Sequence, residues 1–398
     1  MVVALICGGG NGAHVMAGTA ASYPGQEVRV MTLFADEAER WSNALKDHDY
    51  NITFYSGGKE SHRCTNKPKM VTKNPAEAVP GCDIIAFVVP AFAHRQYFEA
   101  IEPYIKPGVV IVGLPGQPGF EFAVRGILGE KAKQCTILSY ESLPWACRII
   151  EFGRTAEVLG VKKHMIGAMQ LGHPQPPTDA NVMAQNLLGE FPKLETRGHL
   201  VAMTLMATNA IIHPSILWAK WHENDEPVAS QPLFYQGADD LAAATLSGLS
   251  DDVIAIAKGI KAKRPDADMS TVVHICDWYK RVYKGDIGDE TNLTTILQTN
   301  NGYKGLKHPM EPAGDGLFKV NYNYRYLTED IPYGLAVIRG IGELVGVNTP
   351  TIDKVITWCQ DKMGREFLKD GKFVGKDLEK ARCPQHYGLH SLDEIIGD

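Results

Sequence analysis

The sequence predicts an α/β fold in two parts: a doubly wound parallel sheet over residues 1–195, followed by a mostly α-helical domain over residues 196–398. Three observations lead there. A glycine turn follows the first apolar run, strand-like apolar runs alternate with helix-compatible stretches through the first half, and from about Thr196 the hydrophobic period becomes helical. Length agrees, since single hydrophobic cores rarely grow past about 250–300 residues and this chain has 398.

Composition removes several classes of function. Hydrophobic residues make up 44% and charged residues 22%, with 39 Gly and 23 Pro dispersed along the chain, so disordered and collagen-like readings fail. A net charge of −6 without a run of Lys and Arg leaves no electrostatic footprint for nucleic acid or an anionic membrane. Small-molecule partners are expected instead. The apolar run IIAFVVPAFA (84–93) is too short for a bilayer span and is broken by proline, and MVVALICGGGNGAH lacks the character of a signal peptide, which points to the cytoplasm. Eight cysteines without a C-x-x-C pair read as reduced thiols, and no His-Glu-x-x-His or similar ligand cluster suggests a metal.

The first element is VVALIC (2–7), followed at once by GGGNGAH and a helix-compatible stretch. Strand, glycine turn and helix are the context in which G-x-G-x-x-G/A signals a Rossmann-type dinucleotide site, here through Gly8, Gly10 and Ala13, with Asn11 and Gly12 between them. Gly8 permits the turn, Gly10 admits a pyrophosphate, Ala13 keeps helix and strand close, and the helix N-terminus favours the anion. EVRVMTLF (27–34) is the second strand, CDIIAFVV (82–89), VVIVGL (109–114) and TILSY (136–140) later ones. Continuous apolar strands of this kind belong to a parallel sheet covered on both faces.

Beyond the second strand, LFADEAERW offers Phe34 as a cofactor contact and Asp36 as the ribose-binding acid. Asp36 reads equally well as a helix N-cap. No basic residue lies between Arg29 and Arg40 to meet a 2′-phosphate, so NAD is favoured over NADP. VVPAFAH (88–94) and GLPGQPGFEF (113–122) follow strand ends, where ligands bind in such sheets; Pro90 is a further cofactor candidate, and Gln117 is either a substrate contact or an exposed loop side chain.

The bridge to the helical half falls near 190–198, with GHPQPPTDANV (172–182) as the alternative. Within NAIIHPSILWAKW (209–221), Pro214 should kink or end the helix at His213. Strain of that kind collects at functional sites, although a core histidine bonded to a carbonyl is the commoner case. In YRYLTEDIPYG (324–334), Asp330 is either an N-cap ahead of an apolar helix or a carboxylate that orients a histidine, and Arg325 suits a substrate carboxylate.

CGGGNGAH, LFADEAERW, VPAFAH, ESLPWACR, LFYQG, YKGLKHP, RYLTEDIP and RCPQHYG, in this order along nearly the whole chain, resemble the opine dehydrogenases of marine invertebrates, the branch that includes the octopine-forming enzymes. The resemblance implies NADH-dependent condensation of the keto carbon of pyruvate with the amino group of an amino acid or taurine. It carries His213 and Asp330 over as the catalytic pair and Arg325 as a substrate-carboxylate contact. Glu141 and Cys147 fall on positions lining the amino-acid pocket, with Ser142 beside them. Four residues before His213 the octopine-forming pattern has tyrosine and this chain has Asn209, which puts arginine in doubt and admits taurine, glycine, alanine or β-alanine. A monomer that regenerates NAD for glycolysis is implied as well. The rival readings are another two-domain hydroxyacid dehydrogenase and a non-catalytic NAD-sensing protein.

Overall fold

A computed structural model describes residues 1–397. They form two compact units, Met1–Met203 and the residues from Thr204 onward.

The strands of the first unit are β1 (Val2–Cys7), β2 (Gln26–Met31), β3 (Asn51–Ser56), β4 (Lys59–Cys64), β5 (Met70–Thr72) and β6 (Ile84–Phe87). After them come β7 (Val110–Gly113), β8 (Thr136–Tyr140), β9 (Trp145–Glu151), β10 (Thr155–Val161), β11 (His164–Gln170) and β12 (Lys193–Thr196). Its helices are α1 (Asn11–Ala21), α2 (Glu37–Asp47), α3 (Pro75–Ala78), α4 (Ala91–Ile101), α5 (Phe120–Leu128) and α6 (Ala180–Leu188). The main sheet runs β12-β11-β8-β7-β6-β1-β2-β5, parallel throughout except where β11 meets β8. β6, β7 and β8 are buried end to end and β1 from Ala4 onward, as the uninterrupted apolar runs require. A second sheet, β4-β3-β10-β9, stands apart from it.

Register sets the functional edge. Cys7 is level with Met31 and Phe87, Phe87 with Gly113, and Gly113 with Ser139. The segments that leave β1, β2, β6, β7 and β8 therefore emerge together at the carboxyl end of the sheet, where open α/β sheets bind ligands.

From α7 (Leu200–Leu205) the chain enters the second unit, which contains α8 (Thr208–Trp221), α9 (Asp240–Lys263), α10 (Ile275–Val282) and α11 (Leu293–Thr299). A short hairpin, β13 (Met310–Gly314) and β14 (Leu317–Val320), lies among the helices, in keeping with a mostly helical domain. The unit continues with α12 (Arg325–Thr328), a π-helical turn at Ile331–Leu335, α13 (Ala336–Val345) and α14 (Pro350–Met363).

The helix around Pro214 does not end at His213, one of the two outcomes the sequence offered: α8 continues through Pro214, and a break falls upstream at Met206–Ala207. Proline in a helix interior costs about 3 kcal/mol. Ile211, Ile212, Ile216, Leu217 and Trp221 are each at most 5% exposed, and at about 1.5–3 kcal/mol per buried apolar side chain they outweigh that cost. The stretch Leu200–Trp221, 22 residues long, is long and apolar enough to cross a membrane, but 72% of its most apolar window is buried in protein.

Candidate active site

In the first unit the glycine turn has the stereochemistry a pyrophosphate needs. Gly8 has φ +132°, and a Cβ there would come 2.7 Å from the Val88 carbonyl oxygen, so this position is closed to other residues. Gly10, the N-cap of α1, is exposed, and a Cβ would meet nothing within 4 Å. The open backbone at Gly10 and the unpaired N–H groups of the first turn of α1 fit a dinucleotide phosphate. Gly12 and Ala13 are buried; a Cβ on Gly12 would press Leu143 and Val88 at 2.7 and 2.9 Å, so α1 lies tight on its neighbours. Asn11 uses its side chain structurally, its Oδ1 accepting the Ile149 N–H of β9 at 2.9 Å.

At the end of β2 the two adjacent acids part company. Asp36 occupies the N-cap position of α2 without making a side-chain cap, and its carboxylate faces solvent in an ion pair with Arg40 at 3.0 Å. Glu37 turns inward, accepting the Thr32 hydroxyl at 2.6 Å, and its Oε2 lies 1.9 Å from where a Cβ on Gly9 would stand. Thus Glu37, not Asp36, abuts the glycine turn. A buried Thr at the strand end was the available signal. Phe34 is 73% exposed, a large apolar ring beside this edge, and Pro90 is the exposed N-cap of α4.

After β7, Gln117 is exposed and holds φ +64°, a left-handed conformation that a non-glycine residue rarely adopts. Beyond β8, Glu141 is exposed and its Oε1 accepts the Ile166 N–H at 3.0 Å, while the Ser142 hydroxyl donates to the Leu143 carbonyl at 3.1 Å. Cys147 sits within β9, and burial pushes its thiol up to about 11, so it stays protonated near neutrality.

His14, which the sequence reading passed over, fixes this turn from beneath. It is fully buried, stacks on Trp41 at 3.7 Å, places Nδ1 3.2 Å from the Gly10 carbonyl and accepts the Gly153 N–H at Nε2 at 3.1 Å. Burial pushes its pKa down to about 4, against a smaller upward pull from the Gly10 and Gly9 backbone.

In the second unit His213 and Asp330 meet. The residues are 117 apart in sequence, yet Nδ1 of His213 lies 2.6 Å from Oδ2 of Asp330. Gly334 makes this approach possible: a Cβ there would come 2.6 Å from the Cβ of Ala210, one turn before His213 on α8. The π-turn closes from the Leu335 N–H onto the Asp330 carbonyl at 2.8 Å, leaving the Asp330 side chain free of any capping duty. The two sequence alternatives are both displaced: His213 is bonded to no carbonyl, and Asp330 is not a side-chain N-cap.

The imidazole is 3% exposed. Tyr326 stacks on one face at 3.7 Å and 17°, and Nε2 is 2.7 Å from the Tyr235 hydroxyl. Neither tyrosine was picked out in the sequence, where LFYQG and RYLTEDIP carry no periodic signal that would link them. Arg325 opens α12 with its side chain 61% exposed and only a loose contact to Glu329 at 3.8 Å. Asn209 is exposed in the first turn of α8, one helical turn before His213.

The helical part, residues 196–363, matches the family model described as NAD/NADP octopine/nopaline dehydrogenase, alpha-helical domain. Over its whole length the chain is 49% identical to the tauropine dehydrogenase of Arabella iricolor, covering 100% of both chains. It is 48% identical to the opine dehydrogenase of Haliotis discus hannai, covering 99% of this chain and 98% of that one. The chain belongs to the opine dehydrogenase family. A solved octopine dehydrogenase with NADH and L-arginine superposes with a TM-score of 0.96 at 43% identity, over 100% of this chain and 98% of that one. Members of the opine dehydrogenase family are NAD-dependent oxidoreductases acting on CH–NH groups, and so is this protein.

Proposed function

We propose that this protein reductively condenses pyruvate with the amino group of an amino acid or taurine, using NADH, to give an N-(1-carboxyethyl) amine. The observation that carries the reading is the 2.6 Å contact between buried His213 and half-buried Asp330 in a chain of this family. Solved octopine dehydrogenases with NADH and L-arginine, NADH and agmatine, and NADH and pyruvate support the substrate classes.

The chemistry follows from proton demand. An ammonium must lose a proton before nitrogen attacks the keto carbon, and the carbinolamine must gain one to expel water. With Asp330 accepting from Nδ1–H, His213 holds the tautomer whose Nε2 carries a lone pair, and the carboxylate steadies the cation formed when that nitrogen takes a proton. The same nitrogen returns the proton to the departing hydroxyl. Arg325, exposed and loosely paired, offers a two-pronged fork to a substrate carboxylate. Gly8, Gly10 and the N-terminus of α1 would hold the dinucleotide, with Glu37 at the turn. When bound, NADH supplies the hydride that reduces the imine carbon. Glu141, Ser142, Cys147, Gln117 and Asn209 are the candidate contacts to the amine, and Asn209 makes a small amine or taurine as eligible as arginine.

We place the enzyme in the cytoplasm as a monomer that regenerates NAD for glycolysis. Eight free cysteines suit a reducing compartment, and sedimentation at micromolar concentration tests the assembly. Consumption of NADH with pyruvate and, in turn, arginine, taurine, glycine, alanine and β-alanine tests the reaction. At least one amine should raise the rate well above that with pyruvate alone. A pyruvate-only rate equal to all the others makes the chain a simple keto-acid reductase.

A further inference from the structure

We propose that Tyr235 is a proton-relay residue: its hydroxyl passes protons between Nε2 of His213 and the reacting nitrogen and oxygen of the substrates. The inference rests on the reductive condensation proposed above and names a group that reaction needs.

The placement leaves the imidazole few exits. Nδ1 is held by Asp330 at 2.6 Å, Nε2 by the Tyr235 hydroxyl at 2.7 Å, and Tyr326 covers a ring face at 3.7 Å. The ring itself is 3% exposed, and both its nitrogens are engaged by protein side chains. Once Nδ1–H donates to the carboxylate, Nε2 is an acceptor, so the bond to Tyr235 has the hydroxyl as donor. Its oxygen then keeps lone pairs for a second donor. The Tyr326 hydroxyl, on a half-buried side chain, lies beside it.

Tyr235 is also locked in place. It is 6% exposed, and its ring lies flat on Tyr303 at 3.8 Å and 10°. Within LFYQG the turn that presents it is tight, since a Cβ on Gly237 would come 2.2 Å from the Leu233 carbonyl oxygen. A ring clamped this way hands a proton on better than it swings aside. Burial raises its hydroxyl pKa far beyond neutrality, so the group works without ionising.

The step balances as a concerted exchange. In the condensing direction an ammonium N–H bond breaks as a new Oη–H bond forms, and the original Oη–H proton moves to Nε2. The tyrosine keeps one hydrogen throughout, and the positive charge passes from ammonium to imidazolium. In the dehydrating step the flow reverses: Nε2–H gives its proton to Oη, Oη gives its own to the carbinolamine hydroxyl, and that oxygen departs as water.

The test uses the full-length enzyme with NADH, pyruvate and the best amine of the panel. Tyr235→Phe keeps the ring and its stack on Tyr303 and removes only the relay oxygen. We expect kcat to fall on the order of 100-fold, the lower end of the range general acid–base groups supply, while NADH binding followed by fluorescence is unchanged. The wild type should show a bowed dependence of kcat on the deuterium fraction of the solvent, from two protons in flight, and Tyr235→Phe a straight one or none. Tyr303→Phe is the matched control: it removes a hydroxyl from the same stack, one that faces Tyr279 at 3.4 Å instead of His213, and should leave kcat within about threefold. The relay is overturned if Tyr235→Phe retains wild-type kcat and solvent dependence, or if Tyr303→Phe loses as much. Failure of every amine in the wild type is a different result; it removes the condensation and the relay with it.

Discussion

His14 makes acid sensitivity of the dinucleotide turn quantitative. The ring can accept the Gly153 N–H at Nε2 only while that nitrogen is unprotonated, so a second ring proton would set two donors against each other in a site with no exposure. Folding lowers the pKa from 6.5 to about 4, chiefly through burial. Because the folded value lies below the unfolded one, the stability contribution is complete above about pH 6.5 and is lost as pH falls toward 4, where the unfolded chain takes up a proton the folded chain refuses. A shift of that size corresponds to about 3 kcal/mol in full, of which about 2 kcal/mol is gone by pH 5. The assay is urea unfolding of the wild type and His14→Phe at half-unit steps from pH 8 to pH 5, read by a probe in the first unit. Phenylalanine keeps the stack on Trp41 at 3.7 Å and cannot titrate, so subtraction of the two curves cancels the other ionisable groups. His14→Phe should be the less stable protein at pH 8, having left the Gly153 N–H without a partner, and its deficit should shrink by about 2 kcal/mol at pH 5. Parallel curves would show that His14 is not the titrating group, and the account of its burial would fail.

His213→Ala should lower kcat by about 10²- to 10⁴-fold, the range for loss of an acid–base group, with NADH affinity retained; steady-state kinetics and fluorescence titration check it. Asp330→Asn keeps the shape of the side chain and removes the charge from the 2.6 Å contact. Loss of a hydrogen bond to a charged group costs about 1.5–3 kcal/mol, so kcat should drop about 10- to 150-fold, and an unchanged rate would reduce Asp330 to a structural residue. Gly334→Ala places a Cβ 2.6 Å from that of Ala210, which must push the π-turn off α8. We expect a lower melting temperature and a kcat loss like that of Asp330→Asn; wild-type kinetics would mean that the close approach does not hold the pair.

Legibility in the sequence followed burial. β1, β6, β7 and β8 were visible because they are buried almost throughout and so carry apolar runs without charged residues. The second sheet was invisible for the opposite reason: KESHRC in β4 is exposed almost throughout, and WACRIIE and TAEVLGV in β9 and β10 alternate with bulges that blur the period. Neighbouring acids posed a problem that no local pattern resolves. Asp36 and Glu37 differ by one position, and the Thr32 hydroxyl, five residues before Glu37, decides which turns inward. At Pro214 the local rule was sound but incomplete, since it weighed one lost N–H and not the apolar burial along α8. Tyr235 was illegible because its partner His213 lies 22 residues away, on the far side of an irregular loop.

The buried histidines show why residue type and burial together do not identify a proton carrier. His14 is bracketed by a carbonyl and an N–H, and His308 accepts the Trp221 indole N–H at 3.0 Å. Burial pushes their pKa values down to about 4 and about 3, so at neutral pH both rings are fixed as neutral wedges. His213 is as buried as either, but its partners are a carboxylate that welcomes a cation and a hydroxyl that can both give and accept. An N–H partner locks an imidazole in one state, whereas a carboxylate and a hydroxyl let it pass between two. That difference lies in residues 330 and 235 and not in the His-Pro dipeptide, and three such dipeptides occur in the chain. A functional histidine is recognised here by what its two nitrogens face, and those neighbours are set by the π-turn at Ile331–Leu335 and the tight turn of LFYQG.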